Sequence, residues 1–151
     1  MLNFLDKIPF KKRFFMDKFD EWNEVKKKIN TSRNTGVRVG EMYWISVGQN
    51  VGSGIYGKHE NFRRPVLVIS KFYIPNYINL FLGIPLSSKT KGKSGKMFFK
   101  FVDSKNTKQV CLISQIRVFD TKRVISNANF SIKKDDFLKV KEKVINLISQ
   151  H

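Results

Sequence analysis

The chain has a single cysteine, two histidines and 12 acidic residues in 151 positions, and each shortage removes a class of function. A lone thiol, Cys111, can close no disulfide within the chain, which excludes a disulfide-stapled secreted scaffold and fits a reducing compartment. Its neighbours Val110, Leu112 and Ile113 mark it as a small buried apolar group. Of the histidines, His59 stands in a loop and His151 is the final residue, so a two-histidine nuclease mechanism is disfavoured. The acids are scattered. Asp135 and Asp136 are adjacent on an expected helix and face different directions, which suggests no carboxylate cage for a hard cation. Zinc-ligand spacing, a Walker-type glycine loop and a catalytic Cys–His signature are all missing. The expectation is therefore no metal and no cofactor. No apolar run approaches the length that spans a bilayer, and the opening residues turn quickly to charge without the apolar core of a signal peptide. No membrane and a cytoplasmic location are expected.

Positive charge is abundant: 29 Lys and Arg against the 12 acids leave a formal net charge of +17. Such an excess steers polyanions to the surface and releases counterions when phosphates are bound. Nucleic acid is the leading partner by this rule, with an anionic membrane surface or an acidic protein as the alternatives. Hydrophobic residues at 41% and aromatics at 13%, with 14 Phe, supply one packed core, and a chain of this length leaves no room for a second full domain.

Residues 10–29 carry an apolar stripe at Phe15, Phe19, Trp22, Val25 and Ile29, with charge between, at helical spacing. Pro9 suits the first turn. A breaker follows from Thr31 to Gly36. Branched and aromatic residues then dominate Val39–Val47, Pro65–Tyr73, Tyr77–Leu86, Lys96–Val102 and Gln109–Phe119, which predicts at least five strands. Between them lie a loop from Gly48 to Asn61 and a lysine-rich one from Ser87 to Gly95, the kind of segment that carries a scaffold's function. The C-terminus returns to helix, with Leu138, Lys141, Val144, Ile145 and Ile148 as its expected apolar face and Asp135 and Asp136 near its positive end. The fold class is mainly β with helices (α+β): a partly open antiparallel barrel covered by a C-terminal helix, with an extra N-terminal helix.

Four segments in order, Gly40–Trp44, Gly57–Ile69, Gly83–Ser88 and Ser114–Val124, resemble the MazF/PemK toxins of type II toxin-antitoxin systems. The match runs from about Val37 to the C-terminal helix. It divides the chain into an N-terminal helical extension, 1–35, and a toxin domain, 36–151, with the small SH3-like plug barrel of that family and of the related CcdB toxins. By this resemblance Arg64, before Pro65 at the start of the second strand, and Ser87, at the end of the third, form the catalytic pair. The family has Thr at the second position. Serine keeps the hydroxyl and loses the methyl that stiffens its rotamer. The resemblance also implies a homodimer and a cognate acidic antitoxin whose tail occupies the RNA groove. The basic charge gives that tail a physical reason to bind.

The chemistry stands beside the resemblance. Cutting RNA without a metal requires the 2'-OH to attack its neighbouring phosphorus, a positive group to hold the charge of the phosphorane, and proton transfer at both oxygens. A permanently charged, forked guanidinium such as Arg64 suits the second task; an Arg merely paired with a carboxylate at a strand end is the alternative reading. A Ser87 hydroxyl can orient the phosphate or the 2'-OH, but is too weak a base to act alone. His59 and Glu60 are the nearest titratable candidates for acid and base, with an exposed loop histidine as the plainer account of His59. Lys58, Arg63, Lys89, Lys91 and Lys93, with Lys96 beyond, are candidates for the RNA backbone. Gln115 and Arg117 fall in the segment that resembles the family's RNA-binding face. Tyr56 and Phe62 could stack on bases. The function expected is a sequence-selective endoribonuclease leaving cyclic phosphate and 5'-OH ends on single-stranded RNA. A catalytically silent RNA-binding module and a CcdB-like gyrase-poisoning toxin are the rivals.

Overall fold

The computed structural model describes residues 10–59 and 61–149, with side chains from residue 18 onward. Expectations resting on Pro9, the Phe15 side chain, Glu60 and His151 lie outside these residues. Helix α1 (Phe10–Asn30) covers the stretch with helical spacing. Its end is tied off by Thr31 Oγ1 donating to the Lys28 carbonyl at 3.0 Å and Ser32 Oγ to that of Ile29 at 2.7 Å, which satisfies carbonyls that a helix terminus leaves open. Of the stripe, Trp22 is buried and Phe19, Val25 and Ile29 are half-buried. The Trp22 ring enters so closely that a Cβ on Gly48 would lie 2.4 Å from it, at a backbone φ of +93°. Only glycine lets α1 settle there.

Seven strands follow: β1 (Met42–Ser46), β2 (Arg63–Ile74), β3 (Ile78–Ser87), β4 (Phe98–Val102), β5 (Lys108–Leu112), β6 (Arg117–Asp120) and β7 (Val124–Asn127). The expected run from Gln109 to Phe119 is two strands, because a single 3-10 turn at Ile113–Gln115 breaks it. All pairings are antiparallel, in the order β4-β5-β3-β2-β1-β7, with β6 also on β3. The sheet stays open, with β4 and β7 at its two ends, in keeping with the partly open barrel read from the sequence.

Both faces of the central strands are buried, so their alternation sorts side chains between two cores rather than between core and solvent. Met42, Leu67, Ile84, Leu86, Phe101 and Cys111 build one with Val140 and Val144 of helix α2 (Lys134–Ser149). Tyr43, Ile45, Val66, Val68, Phe81 and Phe119 build the other with Val37. Burying each large side chain contributes about 1.5–3 kcal/mol. The face of α2 that does this differs from the expected one. Val140 and Val144 are buried with Phe137 and Leu147 beside them, while Leu138, Ile145 and Ile148 are exposed. Two apolar stripes lie side by side on this helix, and packing selects the first.

Candidate active site

The register of the two longest strands creates the site. Val66 on β2 faces Pro85 on β3, and the same register continued by two residues brings Arg64 and Ser87 together where the strands end. A cavity of about 230 Å³ opens there, lined by Lys58, His59, Arg63, Arg64, Ser87 and Ser88 with Trp44, Pro65, Leu86, Gln109 and Phe130. Of the site residues expected from the sequence, five meet in one place: Arg64, Ser87, His59, Lys58 and Arg63.

Arg64 is 9% exposed. Its Nε donates to the Tyr56 carbonyl and one terminal nitrogen lies 3.5 Å from the Leu86 carbonyl. The Tyr56 ring sits 5.7 Å from the guanidinium carbon. Among the described residues no carboxylate is paired with Arg64, so the reading of it as half of an ion pair does not hold there. Burial pushes its pKa below the ordinary arginine value, opposed by Tyr56. A buried cation held by neutral carbonyls is expensive unless an anion completes it. Next to it, Arg63 stacks its guanidinium 5.0 Å from the Trp44 ring, and its buried Nε has no hydrogen-bond partner among the described residues. Two guanidinium groups thus face one cavity with donor capacity to spare, an arrangement suited to phosphate oxygens.

Ser87 Oγ accepts a hydrogen bond from the Lys89 backbone N–H at 3.2 Å, which fixes the oxygen and leaves its proton free to donate. The lysine-rich loop is turned back on itself, with the Lys93 ammonium on the Lys89 carbonyl. Lys89, Lys91 and Lys93 therefore follow the cavity rather than line it. Lys96, further along, is exposed.

The loop between β1 and β2 forms the opposite wall. Gly57 N–H donates to the Gly48 carbonyl at 2.8 Å, and Lys58 and Arg63 exchange two backbone bonds of 3.0 and 2.9 Å. A Cβ on Gly57 would fall 1.6 Å from the Phe62 carbonyl oxygen, so the loop closes only around glycine. His59 and Phe62 both take left-handed backbone angles, φ +64° and +50°, inside this turn. His59 is exposed, as its plainer account supposed, yet it lines the cavity. Glu60 lies outside the described residues.

Gln115 does not line the cavity. Its amide braces the loop, accepting from Ile55 N–H at 3.1 Å and donating to the Ser53 carbonyl at 3.2 Å. Arg117 is half-buried on β6 over the Phe119 ring at 4.8 Å, also away from the cavity, and burial lowers its pKa. Phe62 is buried against Trp22 with centroids 5.6 Å apart, while Tyr56 is 49% exposed and open to a stacking partner. Trp44, Leu86, Ser88, Gln109 and Phe130 line the cavity without having been named as site candidates. Gln109 carried a signal, being polar at the start of an apolar run; it is buried and its amide donates to Asp103 Oδ2 at 3.0 Å. Trp44 ends the first segment that carries the family resemblance, whereas Phe130 carried no signal, since topology alone brings it to the site. Among the described residues no three His, Cys, Asp or Glu converge as a metal site, and no helix is long and apolar enough to cross a membrane.

Comparison with known proteins gives a consistent result. Residues 38–148 match the model of a family described as PemK-like, MazF-like toxin of type II toxin-antitoxin system. The fold is similar to crystal structures of MazF and of MazE-MazF from Deinococcus radiodurans. The first is 21% identical with a TM-score of 0.61, the second 18% with 0.54, and each alignment covers 78% of this chain and 100% of the other. No curated protein sequence matches.

Proposed function

The chain belongs to the PemK-like, MazF-like toxins of type II toxin-antitoxin systems, and from that premise we propose that it is a metal-independent, sequence-selective endoribonuclease acting on single-stranded RNA. The observation that carries this reading is the buried Arg64 guanidinium, unpaired with any carboxylate among the described residues and sharing a cavity with Ser87. A scissile phosphate seated there supplies the anion that no described residue provides. The 2'-oxygen attacks phosphorus as its proton passes to a base; the bond to the 5'-oxygen breaks and that oxygen takes a proton. The products are a 2',3'-cyclic phosphate and a 5'-hydroxyl. Arg64 holds the charge that builds on the non-bridging oxygens, and Arg63 and Lys58 add to the field. Ser87, its oxygen fixed by Lys89 N–H, donates to the phosphate and orients it. His59 lines the same cavity and is the described group able to move a proton there.

The toxin unit is residues 36–151, with 1–35 as an added helical segment. It works in the cytoplasm as a homodimer, and the exposed Leu138, Ile145 and Ile148 are an apolar surface of the kind that partners cover. A cognate antitoxin inhibits it with an acidic segment that occupies the cationic cavity; the similar MazF of Deinococcus radiodurans has been crystallised with MazE.

The test is cleavage of a labelled single-stranded RNA panel in EDTA by the wild type, Arg64→Ala and Ser87→Ala, with the new ends identified. Cyclic phosphate and 5'-hydroxyl ends, lost in Arg64→Ala, support the proposal. A folded wild type that binds RNA without cutting it, that cuts only with added divalent metal, or that blocks DNA supercoiling instead, refutes it.

A further inference from the structure

Helix α1 lies outside the matched residues 38–148, yet it borders a second cavity beside the first. This chamber, about 450 Å³, is lined by Lys18 of α1 with Gln49, Tyr56, Gly57, Lys58, His59 and Phe62. Lys58 and His59 also line the cavity that holds Arg64 and Ser87, so the two spaces adjoin along these residues.

Each wall has a defined support. Phe62 is a fixed floor, buried at 3% exposure and held by Trp22. The Lys18 ammonium stands 5.8 Å from the Phe62 centroid and is oriented by Glu21 at 3.4 Å. The half-exposed Tyr56 ring offers a flat apolar surface, while its carbonyl holds Arg64 and its ring neighbours that guanidinium. Two ammonium groups, one amide and one open aromatic ring line the chamber, without a carboxylate among the described lining residues. That is the chemistry of a subsite for single-stranded nucleic acid: stacking for a base and cations for the flanking phosphates.

We infer that this chamber is a subsite for the RNA nucleotides next to the cut, with α1 as its outer wall. The inference rests on the nuclease reading above, because one continuous strand then fills both spaces. A base stacks on Tyr56, and Lys18 and Lys58 hold the backbone phosphates as the chain leaves Arg64. The adjoining Arg64 cavity and the open tyrosine ring favour RNA over an acidic peptide. The N-terminal helix thereby lengthens the strand that the toxin grips.

The test uses the full chain and two single-stranded RNAs, one limited to the nucleotides flanking the cut and one extended on both sides. Affinity is measured across salt concentrations with a 2'-deoxy substitution at the cut nucleotide to prevent cleavage. Neutralising one phosphate of a single strand contributes about 0.7 to the slope of log affinity against log salt. Lys18→Ala should lose about that much on the long RNA, and Lys18→Arg should restore it. Tyr56→Leu keeps the carbonyl that holds Arg64 and should weaken the long RNA roughly tenfold. The ratio of kcat/KM on long to short RNA should fall in both variants. A Lys18→Ala protein with wild-type slope and wild-type length ratio overturns the inference, as does one that weakens only capture of the acidic antitoxin. A wild type that binds but never cleaves defeats the nuclease reading instead, and the salt slope still decides the chamber.

Discussion

Replacing Arg64 by methionine separates a catalytic guanidinium from a structural one, because the two roles move stability and activity differently. The side chain is 9% exposed and unpaired with a carboxylate among the described residues. Its firm contact is Nε on the Tyr56 carbonyl; the contact to Leu86 is at the 3.5 Å limit. Losing one hydrogen bond from a charged donor costs about 1.5–3 kcal/mol, whereas removing an uncompensated buried ion recovers a penalty of several kcal/mol. Methionine of similar length fills most of the space, so the variant should be equal in stability or better by about 1 kcal/mol. That corresponds to a melting temperature unchanged or raised by about 2–4 °C. Cleavage should fall about 100- to 1,000-fold, the loss expected when one donor to a developing oxyanion is removed. Calorimetry and single-turnover cleavage of one RNA report the two quantities on the same sample. A variant that melts far lower, and whose remaining activity tracks its folded fraction, would show that Arg64 is a strut and refute the reasoning.

Ser87→Thr should cleave at least as fast as the wild type, since the hydroxyl stays and the methyl narrows its rotamers, while Ser87→Ala should lose about tenfold or more in kcat; equal rates for all three in single-turnover assays would remove Ser87 from the mechanism. Gly48→Ala should unseat Trp22, whose ring lies 2.4 Å from the new Cβ. Its melting temperature should drop and its tryptophan emission shift red, with an upper limit of about 3–5 kcal/mol set by complete loss of a buried tryptophan. Deleting residues 1–30 should lower the melting temperature too, and an unchanged value would mean that α1 contributes nothing to the fold. Asp103 gives a pH signature. Burial alone would raise its pKa, but hydrogen bonds from Thr107, Gln109 and Lys105 outweigh that and hold it below the ordinary aspartate value. A depressed carboxylate stabilises the fold above about pH 3.9, and that contribution is lost as pH falls through the folded-state pKa. Urea midpoints should therefore put Asp103→Asn well below the wild type at neutral pH, with the gap closing in acid; a constant gap would contradict the assignment.

Much of the outcome was legible in residue types. The Arg64-Pro65 and Ser87 segments carried the family resemblance, and the 10–29 stripe gave α1 within a residue of its end. Strand ends were less legible. The Gln109–Phe119 run looks continuous because Ile113 is as apolar and buried as its neighbours, and nothing local announces that the backbone turns there. Gln115 drew notice as a polar residue in a segment that carries the resemblance; its bracing of the loop through the Ile55 N–H and the Ser53 carbonyl was not legible, because only the folded loop presents those groups.

Sequence by itself determined the chemistry available: a permanent cation, a hydroxyl, an excess of lysine, and strands and helices set by periods of two and 3.6. Those are properties of a residue and its near neighbours. Tertiary structure decided which of two adjacent α2 stripes is buried, that Trp44, Gln109 and Phe130 share a cavity with Arg64, and that α1 meets the β1–β2 loop at Gly48. Each depends on which distant surfaces pack together. A pattern of apolar residues fixes that a face must be covered, but it leaves the partner to strand register and to the volume the facing side chains fill.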